Sequence, residues 1–170
     1  MNQRLSDALL GGVSGAIGAS AMTILRMAAH RAGLIDQMVP QAVEQSVERR
    51  AGERPDDKGS RSVLDQALHL GYGAALGAAY SAVIDRPRGG ARPGRALGYG
   101  LANWAFGAMA LLPGIGAARP AWRRSAAENA VDVAAHLLFG GVTAFVAGEL
   151  HRQGRTSPPA GHPASPARVG

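Results

Sequence analysis

Two pairs of residues in this 170-residue chain have the types and spacing to do chemistry: Asp65 with His69, and Asp132 with His136. On a helix, residues four apart lie on one face. Each pair therefore sets a carboxylate one turn from an imidazole, and Glu128 extends the second stripe by a further turn. Three chemistries fit that pattern. The acid can serve structure, bonding to its own helix's histidine or favouring a first helical turn through the helix dipole. The pair can hold a proton or an ion, since histidine changes charge near neutral pH. Or paired imidazoles and carboxylates can ligate a divalent metal, with His69 and His136 as axial ligands if the group is haem.

Other catalytic classes find no support. The chain has no cysteine, which removes disulfides, thiolate metal sites and thiol nucleophiles. No nucleophile elbow or phosphate-cradling glycine loop is present, and Ser14 and Ser20 have no base nearby in sequence. The expectation is a non-enzymatic protein with no obligatory cofactor.

The elements that must position these pairs are four stretches free of Asp, Glu, Lys and Arg: Ala8–Leu25, Gln66–Ile84, Ala96–Ala118 and Val133–Gly148. They run roughly 16 to 23 residues, against about 20 needed to cross a bilayer, so the fourth is marginal. A soluble bundle helix carries charge on its outer face. These segments lack it through their middles, which favours lipid over water and leaves a soluble four-helix bundle as the alternative. The expected fold is all-α, a four-helix transmembrane bundle over residues 1–151 with helices at about 5–30, 64–85, 95–113 and 127–150. The first is expected to be a retained helix and not a cleaved signal, because Asp7 interrupts the basic start a signal requires. A short amphipathic helix is predicted over about 40–51, and residues 152–170, rich in Pro, Ser and Gly, are predicted to be disordered.

Comparing the halves relates the two pairs. Asp65, His69, Tyr72 and Gly73 align with Asp132, His136, Phe139 and Gly140, and more weakly Gly11 through Met22 aligns with Gly98 through Met109. This predicts two parallel two-helix repeats related by an axis along the membrane normal. Gly73, Gly77 and Gly140 follow the histidines at four-residue intervals and are predicted to let helix backbones approach closely. Asn103 and Trp104, inside the third segment, are predicted to pack against neighbouring helices. Arg26 and His30 are predicted to reach for the headgroups, and Trp122 to anchor at the interface.

Net charge is +6, but the arginines lie between apolar segments instead of interleaving with aromatics, which argues against nucleic acid. The cluster Arg86, Arg88, Arg92 and Arg95 between the second and third segments places that loop, and with it both termini, in the cytoplasm.

The pattern Gly98, Asn103-Trp104, Leu112-Pro113-Gly114-Ile115-Gly116 and Pro120, followed by Glu128-Asn129, Asp132 and His136-Leu137, resembles the YagU-like family of small bacterial inner-membrane proteins; His69, Gly73, Gly77 and Tyr80 are similar to that family's earlier membrane helix. The resemblance covers roughly residues 8–150. It implies a multi-pass inner-membrane protein with a suggested link to acid tolerance, and no catalytic residues. The bilayer is the expected partner, together with a second copy or a membrane partner subunit. The polar first loop and Pro-rich tail depart from the family pattern.

Overall fold

A computed structural model describes residues 3–35, 58–84, 93–116 and 118–156. It is all-helical, with four helices and no strand among the described residues. Helix α1 is Gln3–Arg31, and α2 is Lys58–Ala79 continuing into a π-turn at Tyr80–Ile84. Helix α3 runs Pro93–Phe106, widens into a π-turn at Gly107–Leu111 and ends at Leu112–Gly114; α4 is Ala126–Thr156, preceded by a single 3-10 turn at Ala121–Arg123.

Local chemistry sets the helix ends. Gly33 takes φ +71° beyond α1, with Leu34 N–H bonded to Ala29 C=O and Gly33 N–H to His30 C=O, the paired bonds that close a helix at a left-handed glycine. Gly116 also takes φ +71° after α3, its N–H bonded to Pro113 C=O at 3.0 Å. Helix α4 opens on a capping box: Ser125 Oγ accepts from Glu128 N–H at 3.1 Å, and Glu128 Oε2 accepts from Ser125 N–H at 2.8 Å. The π-turn of α3 lies just before Pro113, which has no N–H to donate and whose ring crowds the carbonyl four residues back. The helix widens there, and Leu112 N–H reaches five residues back to Gly107 C=O.

Helix α1 packs on α2 and on α4, and α3 packs on α4. A Cβ added to Gly15 would fall 2.1 Å from Gly73 O, and one on Gly77 would fall 2.2 Å from Gly11 O. In the second pair of helices, a Cβ on Gly100 would meet His136 O at 2.2 Å and one on Gly140 would meet Ala96 O at 2.2 Å. The contact positions rise along one helix as they fall along the other, so both pairs are antiparallel. Helix α1 is likewise antiparallel to α4, with Gly18 against Phe139 and Thr143, Arg26 against Asp132, and Asp7 against His151. Helices α2 and α4 therefore run the same way. The core is small and aromatic: Ala19, Met22, Ala135 and Phe139 form one cluster, and Tyr80, Ala96 and Ala144 another. Tyr99 packs against both, its ring centroid 5.1 Å from that of Tyr80, and its hydroxyl donates to Leu76 C=O at 2.7 Å.

Among the described residues, two helices are long and apolar enough to cross a membrane, Leu5–Arg31 and Ala126–Gln153. The segment expected to be marginal is thus one of these two. The charge-free run Val133–Gly148 is only the middle of this helix, which starts at the capping box and continues through Glu149 and Arg152. The helix also runs to Thr156, into the stretch expected to be disordered from residue 152. The predicted amphipathic helix at 40–51 and residues 157–170 of the tail lie outside the described residues.

Substituting Gly15 with Ala forces backbone against backbone, and is expected to cost about 1–3 kcal/mol in unfolding from detergent micelles. Gly98→Ala is the control: nothing lies within 4 Å of its added Cβ, so stability should hold or rise slightly. Equal losses at both positions would contradict the close α1–α2 contact.

Candidate functional site

The four helices line a half-open chamber of about 450 Å³. Helix α1 contributes Ala19, Met22, Thr23 and Arg26, and α4 contributes Asp132, His136 and Phe139. The sides are α2, through Leu68, His69, Tyr72 and Leu76, and α3, through Asn103 and the π-turn residues Gly107, Ala108 and Leu111. Leu68 and Tyr72 also belong to the exposed surface, so they form its rim.

The polar groups gather at one end. Asp132 is buried, and its two carboxylate oxygens accept separately from Arg26 Nη1 of α1 and from Arg124 Nη1 of the segment before α4. The side chains of Arg26, Arg124 and Asp132 are 7%, 8% and 6% exposed. Arg124 is steered into place by its Nε, which donates to Arg119 C=O at 2.9 Å, and Asn129 ties the same segment to α4 by donating to Ala121 C=O at 2.8 Å. Two donors are left over: Arg26 Nε and Arg124 Nη2 are buried with no hydrogen-bond partner in the protein. An arginine stays charged at any physiological pH, so the three side chains carry one excess positive charge.

His69 and His136 line the same chamber. His69 Nε2 is 3.4 Å from Ala19 O, and His136 Nδ1 is 2.8 Å from Asp132 O. A carbonyl oxygen can only accept, so each of these nitrogens carries a proton, which leaves the other ring nitrogen to hold a lone pair in the neutral ring. His136 thus bonds to the backbone of Asp132 and not to its carboxylate.

Of the residues singled out in sequence, Asp132, His69 and His136 come together here. Glu128 does not join them, because its carboxylate is held at the helix start by Ser125. Asp65 lies on α2, but its side chain is outside the described residues. Gly73 and Gly77 sit at the α1–α2 contact and Gly140 at the α3–α4 contact. Asn103 lines the chamber, and Trp104 is half-buried with its indole Nε1 unpaired. Sequence reasoning missed Arg26 and Arg124. Arg26 does not reach for headgroups: it is 6% exposed because Asp132 supplies an anion inside the protein. Its signal was available, an arginine one residue past a charge-free run, but its partner is 106 residues away.

Among the described residues no group of three or more His, Asp or Glu side chains is placed to hold a metal ion. The donor set argues the same way, since among the described residues the only carboxylate lining the chamber, Asp132, is already shared by two cations. No protein family, no curated protein and no solved structure matches this chain.

Removing the charge of Asp132 while keeping its shape strands two buried guanidiniums. Asp132→Asn is expected to lose about 3–5 kcal/mol of stability, against about 0.3–1.5 kcal/mol for Glu128→Ala at the cap. Denaturant titration of both variants in mixed micelles checks the ranking, and equal losses would mean that the cluster does not hold the helices.

Proposed function

We propose that this chain is a non-enzymatic, multi-pass protein of the bacterial inner membrane, a four-helix bundle of two parallel two-helix repeats that binds a small ligand or ion in its internal chamber. The observation that carries the reading is the buried Arg26–Asp132–Arg124 cluster at the end of a chamber to which all four helices contribute. Buried charge of this kind is costly, and within membrane spans it marks ligand and ion sites by default.

The membrane setting is supported by the outer surface. Leu5, Leu9, Val13, Ile17, Ile24 and Met27 form an exposed apolar stripe along α1, and Leu97, Leu101, Phe106 and Met109 do so on α3. Soluble monomers seldom expose apolar faces of this extent, and lipid is their natural solvent. Trp122, 69% exposed just before α4, suits the interfacial position such residues favour. Like α1 and α4, α2 and α3 cross in this proposal. Helix α2 has its charged residues confined to its first turns, and α3 is lengthened by its π-turn. The repeat is supported by the two antiparallel glycine contacts, in a register that pairs Gly15 with Ala96 and Ala19 with Gly100, unlike the weak alignment of Gly11 with Gly98. The resemblance to YagU-like proteins rests on its motif residues alone and accords with this setting.

A scaffold reading, in which the cluster only locks helices, is favoured by the complete use of Asp132 but leaves the two spare arginine donors and the chamber without a role. A divalent metal fits poorly beside two guanidiniums.

Reporter fusions test the topology. With four spans, a reporter inserted at Gly90 and one joined after Thr156 should both report cytoplasm. Opposite sides would end the four-span reading.

A further inference from the structure

Asp132 neutralises only one of the two arginines it touches. Arg26 Nε and Arg124 Nη2 remain as buried donors, on side chains more than nine-tenths buried that line the chamber. An ion taken out of water without full compensation is costly. Glu128 acts on Arg124 only from the helix start, where Ser125 holds it, so within this end of the chamber one negative charge and acceptors for two N–H groups are wanting. Away from it the walls are mainly apolar, with Met22, Leu76, Leu111, Ile115 and Phe139, and are interrupted by Thr23, His69 and Asn103. Phe139 lies seven residues along α4 from Asp132, about 10 Å at the helical rise. One charged end and an apolar body describe the complement of an amphiphile.

We propose that the chamber binds a single-chain amphiphile with one anionic oxyacid head, a medium-chain carboxylate, whose oxygens accept from Arg26 and Arg124 while its tail lies against Met22, Leu76 and Phe139. The proposal rests on the chamber reading above and names its ligand class. A single negative charge balances the site, and a guanidinium edge matches a carboxylate in shape and charge. The volume suits a single chain: about 450 Å³ has room for on the order of fifteen non-hydrogen atoms at about 30 Å³ each, so a two-chained phospholipid would leave most of its length outside. Access is through the rim at Leu68 and Tyr72, both apolar-bodied, exposed and on the side where α2 and α3 are not closely packed. A ligand dissolved in the bilayer can enter there without its tail crossing water.

The absence of native cysteine allows a test specific to the site. Leu111→Cys places a thiol in the chamber wall, and Trp122→Cys places one at the exposed interfacial position before α4. Maleimide labelling is followed in phosphatidylcholine nanodiscs with decanoate, with decanol and with acetate at equal concentration. Decanoate is expected to slow labelling of Leu111→Cys at concentrations about tenfold below those decanol requires, as charge-assisted bonding predicts. Acetate should have no effect, and Trp122→Cys should label readily and be indifferent to all three. Arg124→Gln, which leaves the Arg26–Asp132 pair in place, should abolish the difference between decanoate and decanol while circular dichroism stays unchanged; Arg26→Gln should do the same if it folds. Equal protection by decanoate and decanol would overturn the anionic head and leave the chamber standing. Protection by neither would overturn the chamber reading itself. Slow labelling in phosphatidylglycerol discs without decanoate would assign the site to a bilayer lipid and overturn the single-chain ligand.

Discussion

Asp132 lies between two arginines that come from different parts of the chain, and neither arginine could stay buried without it. Arg26 stands near the end of α1, Arg124 in the segment that leads into α4, and Asp132 in the second turn of α4. Desolvating a guanidinium is offset only by a close anion with good hydrogen-bond geometry. The carboxylate therefore draws the end of α1 onto the start of α4 and folds the connecting segment over them. Because Asp132 has one charge to share, the arrangement also leaves that end of the chamber electropositive, and the ligand argued for above follows from this imbalance.

The chamber exists because the helices are held unevenly. Glycine and alanine bring α1 against α2 and α3 against α4 until backbone meets backbone, as Gly15 with Gly73 and Gly100 with His136 illustrate. In lipid, where apolar side chains gain little by leaving their surroundings, such close contact is a main source of helix association. Among the described residues, helices α2 and α3 have no comparable glycine contact with each other and are bridged by Tyr99, through its hydroxyl on Leu76 and its ring against Tyr80. Beyond that bridge they stand apart, and the π-turn before Pro113 presents Gly107, Ala108 and Leu111 to the space between them. The close contacts and the open space are thus two results of where the smallest side chains fall.

Much of this was legible in the residues. Charge-free runs predicted four helices, the glycines spaced four apart after each histidine marked contact faces, and Pro113 with its neighbouring glycines marked the end of α3. The repeated Asp-x-x-x-His pattern pointed to His69, Asp132 and His136, which share one chamber. Helix ends were less legible. The last helix starts within a residue of its expected position, at the Ser125–Glu128 capping box, but runs six residues past its expected end, through Arg152 to Thr156.

The i to i+4 spacing within one helix is a local property, and the sequence by itself determined the helices, their apolar faces and the residues that share a stripe. Which groups meet across helices was decided only by the tertiary structure. Local spacing suggested that Asp132 would bond to His136; instead the imidazole takes the backbone carbonyl and the carboxylate takes Arg26, 106 residues earlier, and Arg124. Glu128 carries the same charge on the same helix and was drawn to the helix start instead, because unbonded N–H groups were available there. A carboxylate pairs with whichever donors packing brings within reach, and for Asp132 those donors come from another helix and a connecting segment.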